Sequence, residues 1–154
     1  MRERLVKILA TGFGAGLVPT APGTAGSVVG VVLWWGLNHL TPWAYWLVTV
    51  LVVALAVWSA GAAAELYRKQ DPPCVVIDEI CAMPIVLAGI GQHWWHVVIG
   101  FVWFRLFDVW KPPPVRQAQV FSGGIGIVLD DLLAAGYACA TTHGVIWLIA
   151  KMTR

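Results

Sequence analysis

The sequence predicts an all-α membrane protein of several spans, on three observations. Only 12% of the residues are charged while 59% are hydrophobic, whereas a soluble domain carries about a quarter charged residues. The apolar residues come in uninterrupted blocks, first at 27–40 and then as an uncharged run of 23 residues at 42–64; a run of about 18 or more reads as a spanning helix. Six of the ten tryptophans gather toward one end of such blocks, as aromatic residues do at membrane–water interfaces. A length of 154 residues fits one domain covering 1–154. A soluble bundle with one fully buried central helix is the competing reading; the shortness of some apolar segments favours it and the tryptophans oppose it.

In chain order, a short amphipathic lead-in at about 4–10 precedes five hydrophobic helices at about 24–40, 43–66, 75–91, 94–110 and 126–150. The third and fourth are marginal spans, because Asp78 and Glu79 open one and Arg105 and Asp108 close the other. They read either as two crossings or as a tilted, partly re-entrant hairpin. Pro112, Pro113 and Pro114 stop the fourth helix and begin a polar connector at 111–124. The basic start (Arg2, Arg4, Lys7) lacks a separate apolar region and small-residue cleavage site, so no signal peptide is expected. Cys74, Cys81 and Cys139 have neither metal-ligand nor disulfide spacing and are expected to be reduced.

Loop charge orients these helices. Arg2, Arg4 and Lys7 precede the first helix, Arg68 and Lys69 follow the second, and Lys111 and Arg116 follow the fourth, while the loops near Asn38 and Gln92 carry no Lys or Arg. The positive-inside rule places the three basic segments in the cytoplasm. Trp34, Trp35, Trp43, Trp46, Trp94 and Trp95 then form an aromatic belt at the other interface. Lys151 and Arg154 dissent mildly, since five crossings leave them outside.

Five of the eight acidic residues sit in or beside apolar segments: Asp78, Glu79, Asp108, Asp130 and Asp131. An ionisable group at membrane depth costs a few kcal/mol, about 2.5–3.5 by insertion scales, and marks a functional site by default. In this topology all three groups converge near the cytoplasmic face. That many carboxylates cannot all stay ionised without a cation, and a hard divalent ion such as Mg²⁺, which takes carboxylates, water and phosphate oxygens, is the natural counter-charge. The competing reading is that each acid reaches the interface or pairs with Arg105, Lys111 or Arg116; it serves one acid better than five.

Two glycine-rich segments lie toward the same face: Gly12 to Gly16 with PTAPGTAGS after it, and Ser122, Gly123, Gly124, Ile125, Gly126. Each precedes a helix, so free N–H groups and the positive dipole end can meet an anion, with Thr24 or Ser27 adding a hydroxyl. Neither is a P-loop, and alone each serves equally as a turn or packing segment. Arg105 and Asp108 share a helix face, and Arg105 and Lys111 could hold phosphate oxygens as fork and point charge; an intrahelical ion pair needs no ligand. Asp130, Asp131 and Asp78 are the candidate catalytic carboxylates, and with Glu79 and Asp108 the candidate metal ligands. Arg105, Lys111, Thr24, Ser27, Gly123 and Gly124 are the candidate phosphate-binding residues. His39, His93 and His96 fall on the outer side and His143 lies far along the last helix, which argues against a phosphohistidine. With no Asp-x-Asp-x-Thr pattern and no cysteine-phosphatase loop, metal-assisted attack of water on phosphorus is the favoured mechanism, and an aspartate nucleophile stays open.

PGTAGS (22–27), IDE (77–79), FRLFDVWKPPPVR (104–116) and GGIGIVLDD (123–131) together resemble the phosphatidylglycerophosphatase A family, in order and spacing and over nearly the whole chain. The resemblance implies a bacterial inner-membrane, multi-pass, Mg²⁺-dependent hydrolase with its site toward the cytoplasm. Its substrate would be the phospholipid phosphatidylglycerophosphate and its products phosphatidylglycerol and phosphate. It also implies an all-helical core in which one helix is surrounded by others. By position, Asp78, Glu79, Asp108, Asp130 and Asp131 match the family's acids, and Arg105 and Lys111 its basic residues. One departure is visible: family members often carry an acid between the KPPP stretch and the GG pair, where this chain has Gln117, Ala118 and Gln119. Membrane lipids are the expected surroundings and no nucleic-acid partner is expected. The rivals are a transporter, since glycine-broken helices and buried acids also mark transport paths, and another Mg²⁺-dependent lipid headgroup enzyme. A CDP-alcohol phosphatidyltransferase, the rival of that kind, would show Asp-Gly-x-x-Ala-Arg, which is missing.

Overall fold

The computed structural model describes residues 1–118 and 120–153. Gln119 of the connector and the terminal cation Arg154 lie outside the described residues. The described chain is all-helical: α1 (Arg2–Ala10), a 3₁₀ turn (Ala15–Leu17), α2 (Pro22–Leu37), α3 (Pro42–Tyr67), α4 (Ile77–Val86), α5 (Trp94–Trp110), α6 (Val115–Ala118) and α7 (Gly123–Met152).

Local chemistry sets the ends. Pro22 and Pro42 stand in the first turns of α2 and α3, where a residue without an N–H removes no helical hydrogen bond. α3 ends at Arg68 and α5 at Lys111, each in the left-handed conformation (φ 51° and 48°), which breaks the helical hydrogen-bond ladder. Pro84 falls in the last turn of α4, where it removes one backbone donor. The helix stops at Leu87, and Gly89 turns the chain at φ +70°.

α4 is the helix the others surround. Eight of its ten residues are buried, and it packs against α2, α3, α5 and α7. Trp34, Met83, Val86, Leu87, Phe104, Ala135 and Ala138 form one core cluster around it, and Val6, Ala60, Val76, Ile80 and Val128 a second. The Tyr45 hydroxyl of α3 donates to the Pro84 carbonyl of α4.

The expectation of about five hydrophobic spans is corrected to two. Among the described residues, only α3, with 26 residues, and α7, with 30, are long and apolar enough to cross a membrane. At about 1.5 Å per residue, the 10-residue α4 spans roughly 15 Å against a hydrocarbon core of about 30 Å. α2 and α5, with 16 and 17 residues, also fall short, and α5 gives its last turns to charged residues. Only 28% and 22% of the most apolar stretches of α3 and α7 are buried. A soluble bundle hides its most apolar helices, so this outward-facing apolar surface indicates membrane association. Trp35, Trp43, Trp46 and Trp94 are exposed at one end of the bundle, but Trp34 is only 2% exposed. It belongs to the core and not to the aromatic belt.

Candidate active site

The start of α2, the loop before α4, the start of α4, the end of α5 and the start of α7 meet at the other end of the bundle. Between them lies a cavity of about 280 Å³ walled by Pro22, Gly23, Asp71, Asp78, Glu79, Arg105, Asp108, Lys111, Asp130 and Asp131 among others. All five acids singled out in the sequence therefore share one space with both cations.

Backbone packing explains how they arrive. The N–H of Val76 donates to the Ala10 carbonyl at 2.9 Å, anchoring the segment that leads into α4. Gly12 and Gly16 press against Val76, Ile80 and the Cys74 carbonyl. The glycine stretch at 12–16 thus buttresses α4. Asp78 and Glu79 occupy the first turn of α4, where the helix dipole favours negative charge. Lys111 caps the C-terminal end of α5, where the dipole favours positive charge, and Arg105 lies on the same helix facing the cavity. Gly23 earns its place by close approach: a Cβ there would strike Glu79 Oε1 and crowd Arg105 Nη1 at 3.1 Å.

Within the cavity the acids divide. Arg105 Nη1 lies 2.8 Å from Asp108 Oδ2, three residues on, and 3.7 Å from Glu79 Oε1. Lys111 Nζ lies 2.5 Å from Asp130 Oδ2. Asp78, Glu79 and Asp131 can each direct a carboxylate oxygen to within 4.8 Å of the other two. Asp78 Oδ1, Glu79 Oε2 and Asp131 Oδ2 are buried and accept no hydrogen bond from any described residue. Burial works against the charge of Lys111, yet its hydrogen bond to Asp130 and the charges of Asp130, Asp108 and Asp131 carry its ammonium above the ordinary value.

The glycines and hydroxyls hold different places. Ser27 is fully buried and donates to the Gly23 carbonyl at 2.9 Å, within its own helix. Thr24 is partly exposed, one residue beyond the stretch of Ala21, Pro22 and Gly23 that walls the cavity. Gly124 packs on α3, where a Cβ would strike the Val57 carbonyl and approach Gly61 N at 2.8 Å. Gly123 lines a neighbouring cavity with Gln70, Asp71, Phe121, Ile127 and Asp130. His96 is buried against the Gly91 carbonyl and His143 bonds the Ala88 carbonyl, both away from the acids.

Sequence reading passed over Asp71, which lines both cavities. Partial desolvation, then the charge of Asp130, pushes its carboxyl above the usual range against the pull of Lys111 and Lys69. The available signal was Asp71-Pro72-Pro73, a turn sequence that folds the loop back over the start of α4.

The family model for phosphatidylglycerophosphatase A matches residues 8–146. The chain belongs to the phosphatidylglycerophosphatase A family. It is therefore an enzyme, a phosphatase. A phosphatidylglycerophosphatase A of Escherichia coli is 38% identical over 82% of this chain and 75% of its own length. One of Haemophilus influenzae is 34% identical over 94% of this chain and 91% of its own. A Bacteroides thetaiotaomicron protein, provisionally named a phosphatidylinositol-3-phosphatase, is 35% identical over 92% of this chain and 94% of its own. No solved structure matches the chain. The segments PGTAGS, IDE, FRLFDVWKPPP and GGIGIVLDD each contribute residues to the carboxylate cavity or the one beside it.

Proposed function

We propose that this protein hydrolyses phosphatidylglycerophosphate to phosphatidylglycerol and inorganic phosphate, with Mg²⁺, at the cytoplasmic face of the bacterial inner membrane. One observation carries the reading: Asp78, Glu79 and Asp131 each keep one buried oxygen without a hydrogen-bond partner at a cavity that also holds Arg105 and Lys111. Buried anions without partners are costly. Asp78, Glu79 and Asp131 offer only hard oxygen donors, which suits Mg²⁺, so the residues fit the ion the family implies. Such an ion supplies Lewis-acid stabilisation of the phosphate and eases deprotonation of water.

The protein's own groups do the rest. Arg105, steadied by Asp108 and Glu79, and Lys111 neutralise the phosphate oxygens as negative charge builds in the transition state. Hydrolysis forms a bond from a water oxygen to phosphorus and breaks the ester bond to the lipid oxygen. Asp130 belongs to the walls of both cavities and is bonded to Lys111. There it holds the Lys111 ammonium, which delivers a proton to the leaving oxygen as the water loses one to a carboxylate of the cavity. Gly23 closes the opposite wall at the N-terminus of α2, where its backbone N–H can meet an anion.

The test is phosphate release from phosphatidylglycerophosphate by detergent-solubilised protein, with Mg²⁺ and with excess EDTA. Turnover with Mg²⁺ that EDTA abolishes is expected. Full turnover in EDTA overturns the metal, and no turnover with Mg²⁺ overturns the substrate. Including phosphatidylinositol 3-phosphate separates the two headgroups that the relatives' names carry.

A further inference from the structure

The cavity beside the carboxylate site has a different character. It measures about 310 Å³ and shares Asp71, Ile127 and Asp130 with the first. Among the described residues no cation lines it, so it is not a second phosphate cradle. Its wall mixes the Gln70 amide and two carboxylates with Phe121, Ile127 and the bare backbone of Gly123 and Gly126. Such a lining suits a short carbon chain bearing hydroxyl groups: apolar contact for the CH₂ groups, an amide and carboxylates for the hydroxyls. On its outer side Val120, Phe121 and Ile125 are 84%, 57% and 57% exposed. They extend the apolar outer surface of α7 to the cavity mouth. The two cavities meet at Asp71, Ile127 and Asp130, and Phe121 both lines this one and stands exposed.

We propose that this second cavity is the substrate's linker subsite. It holds the hydroxylated polyol joining the scissile phosphate to the lipid anchor, with Gln70 reading its hydroxyls and Phe121 packing on its carbons. The proposal rests on the phosphatase reading above and adds how the headgroup is selected and from which side the lipid enters. The scissile phosphate lies among Arg105, Lys111 and the carboxylates. The ester oxygen lies at Asp130, the wall common to both cavities, and the polyol lies between Gln70 and Gly123. The internal diester then emerges at the mouth, where the exposed Lys69 is the cation beside Gln70. The acyl chains leave past Val120, Phe121 and Ile125 into the bilayer. A lipid phosphomonoester without a polyol linker leaves this cavity unfilled.

Gln70→Leu keeps the size of the side chain and removes its hydrogen bonds, and Phe121→Ala removes the apolar wall. Each variant, solubilised and with Mg²⁺, is assayed on phosphatidylglycerophosphate for kcat and KM, and for inhibition by inorganic phosphate, which fills the carboxylate cavity alone. KM should rise about fivefold or more, the effect of one lost hydrogen bond or apolar contact, with kcat within about threefold and the phosphate inhibition constant unchanged. Unchanged inhibition and an unchanged thermal midpoint show that the fold and the carboxylate cavity are intact. An unaltered kcat/KM in both variants overturns the linker subsite while leaving the phosphatase reading standing. A fall in kcat at constant KM also overturns it, since the residues would then act on the chemistry. Wild-type protein that releases no phosphate from this lipid overturns the phosphatase reading and the subsite with it.

Discussion

Lys111 Nζ meets Asp130 Oδ2 at 2.5 Å, tying the C-terminal end of α5 to α7 across the mouth of the cavity. The bond joins two sequence motifs, the lysine before the triple proline and the first acid of the Asp130-Asp131 pair. The pair leaves Asp131, one residue on, facing Asp78 and Glu79.

Breaking this pair is therefore predicted to damage catalysis more than folding. Asp130→Asn removes the carboxylate that holds the Lys111 ammonium beside the leaving oxygen and should lower kcat by about a hundredfold or more. Lys111→Met removes a charge that stabilises the transition state and should do the same. Lys111→Arg should recover part of the loss, because the cation is restored with a different reach. Steady-state kinetics on the lipid substrate checks all three, and a loss under tenfold for Asp130→Asn removes it from the chemistry. His93→Ala, at the other end of the bundle, should leave kcat unchanged.

A second prediction separates binding of the ion from turnover. Asp78, Glu79 and Asp131 repel one another when no cation is present, so removing one charge relieves the folded state. Asp131→Asn should have a higher thermal midpoint than wild type in excess EDTA, though its activity falls about a hundredfold or more, the trade-off seen at sites built for function. Mg²⁺ should raise the wild-type midpoint, because it binds the folded chain, and should barely move that of the variant. Equal Mg²⁺ shifts in both proteins would take Asp131 out of the ion's coordination.

The sequence made the acids legible because charge is costly in apolar segments: Asp78, Glu79, Asp108, Asp130 and Asp131 stand out against uncharged neighbours. Asp71 did not stand out, since a loop acid is ordinary and its nearness to Asp130 exists only in the folded chain. α3 was legible to within about a residue because Pro42 opens an uncharged run that lasts to Ala64, with Glu65 and Arg68 marking its end. α4 was not: apolar residues continue to Ile90, but Pro84 and the turn at Gly89 end the helix at Val86. α2 is apolar on every face, so no polarity distinguishes Trp34, which packs inward, from Trp35, about 100° around the helix and outward. Periodicity reports which face is buried only when the other face is wet.

That contrast between neighbours is itself testable. Trp34→Ala opens a cavity in the core cluster around Met83, Leu87 and Phe104, and large aromatic truncations of this kind cost about 3–5 kcal/mol. Trp35→Ala removes an outward ring and should shift the midpoint of detergent-solubilised protein little. Thermal unfolding of the two variants side by side decides it. Equal losses would return Trp34 to the aromatic belt.

The last prediction concerns which side of the membrane the cavity faces. The cavity end carries Arg2, Arg4 and Lys7 before and on α1, Arg68 and Lys69 after α3, and Lys111 and Arg116 around α6, whereas exposed Trp35, Trp43, Trp46 and Trp94 mark the other end. Positive loops stay in the cytoplasm, so the cavity should open to the inner leaflet, with water entering beside α6. Gln117 is exposed on α6, making it a reporter that leaves the carboxylates untouched. Gln117→Cys, in a background where Cys74, Cys81 and Cys139 are replaced by alanine, should react with an impermeant maleimide in inside-out vesicles and not in right-side-out ones. Phosphate release by the same protein shows that it is folded. Labelling in right-side-out vesicles alone would reverse the orientation, and the lipid would then have to reach the site from the outer leaflet.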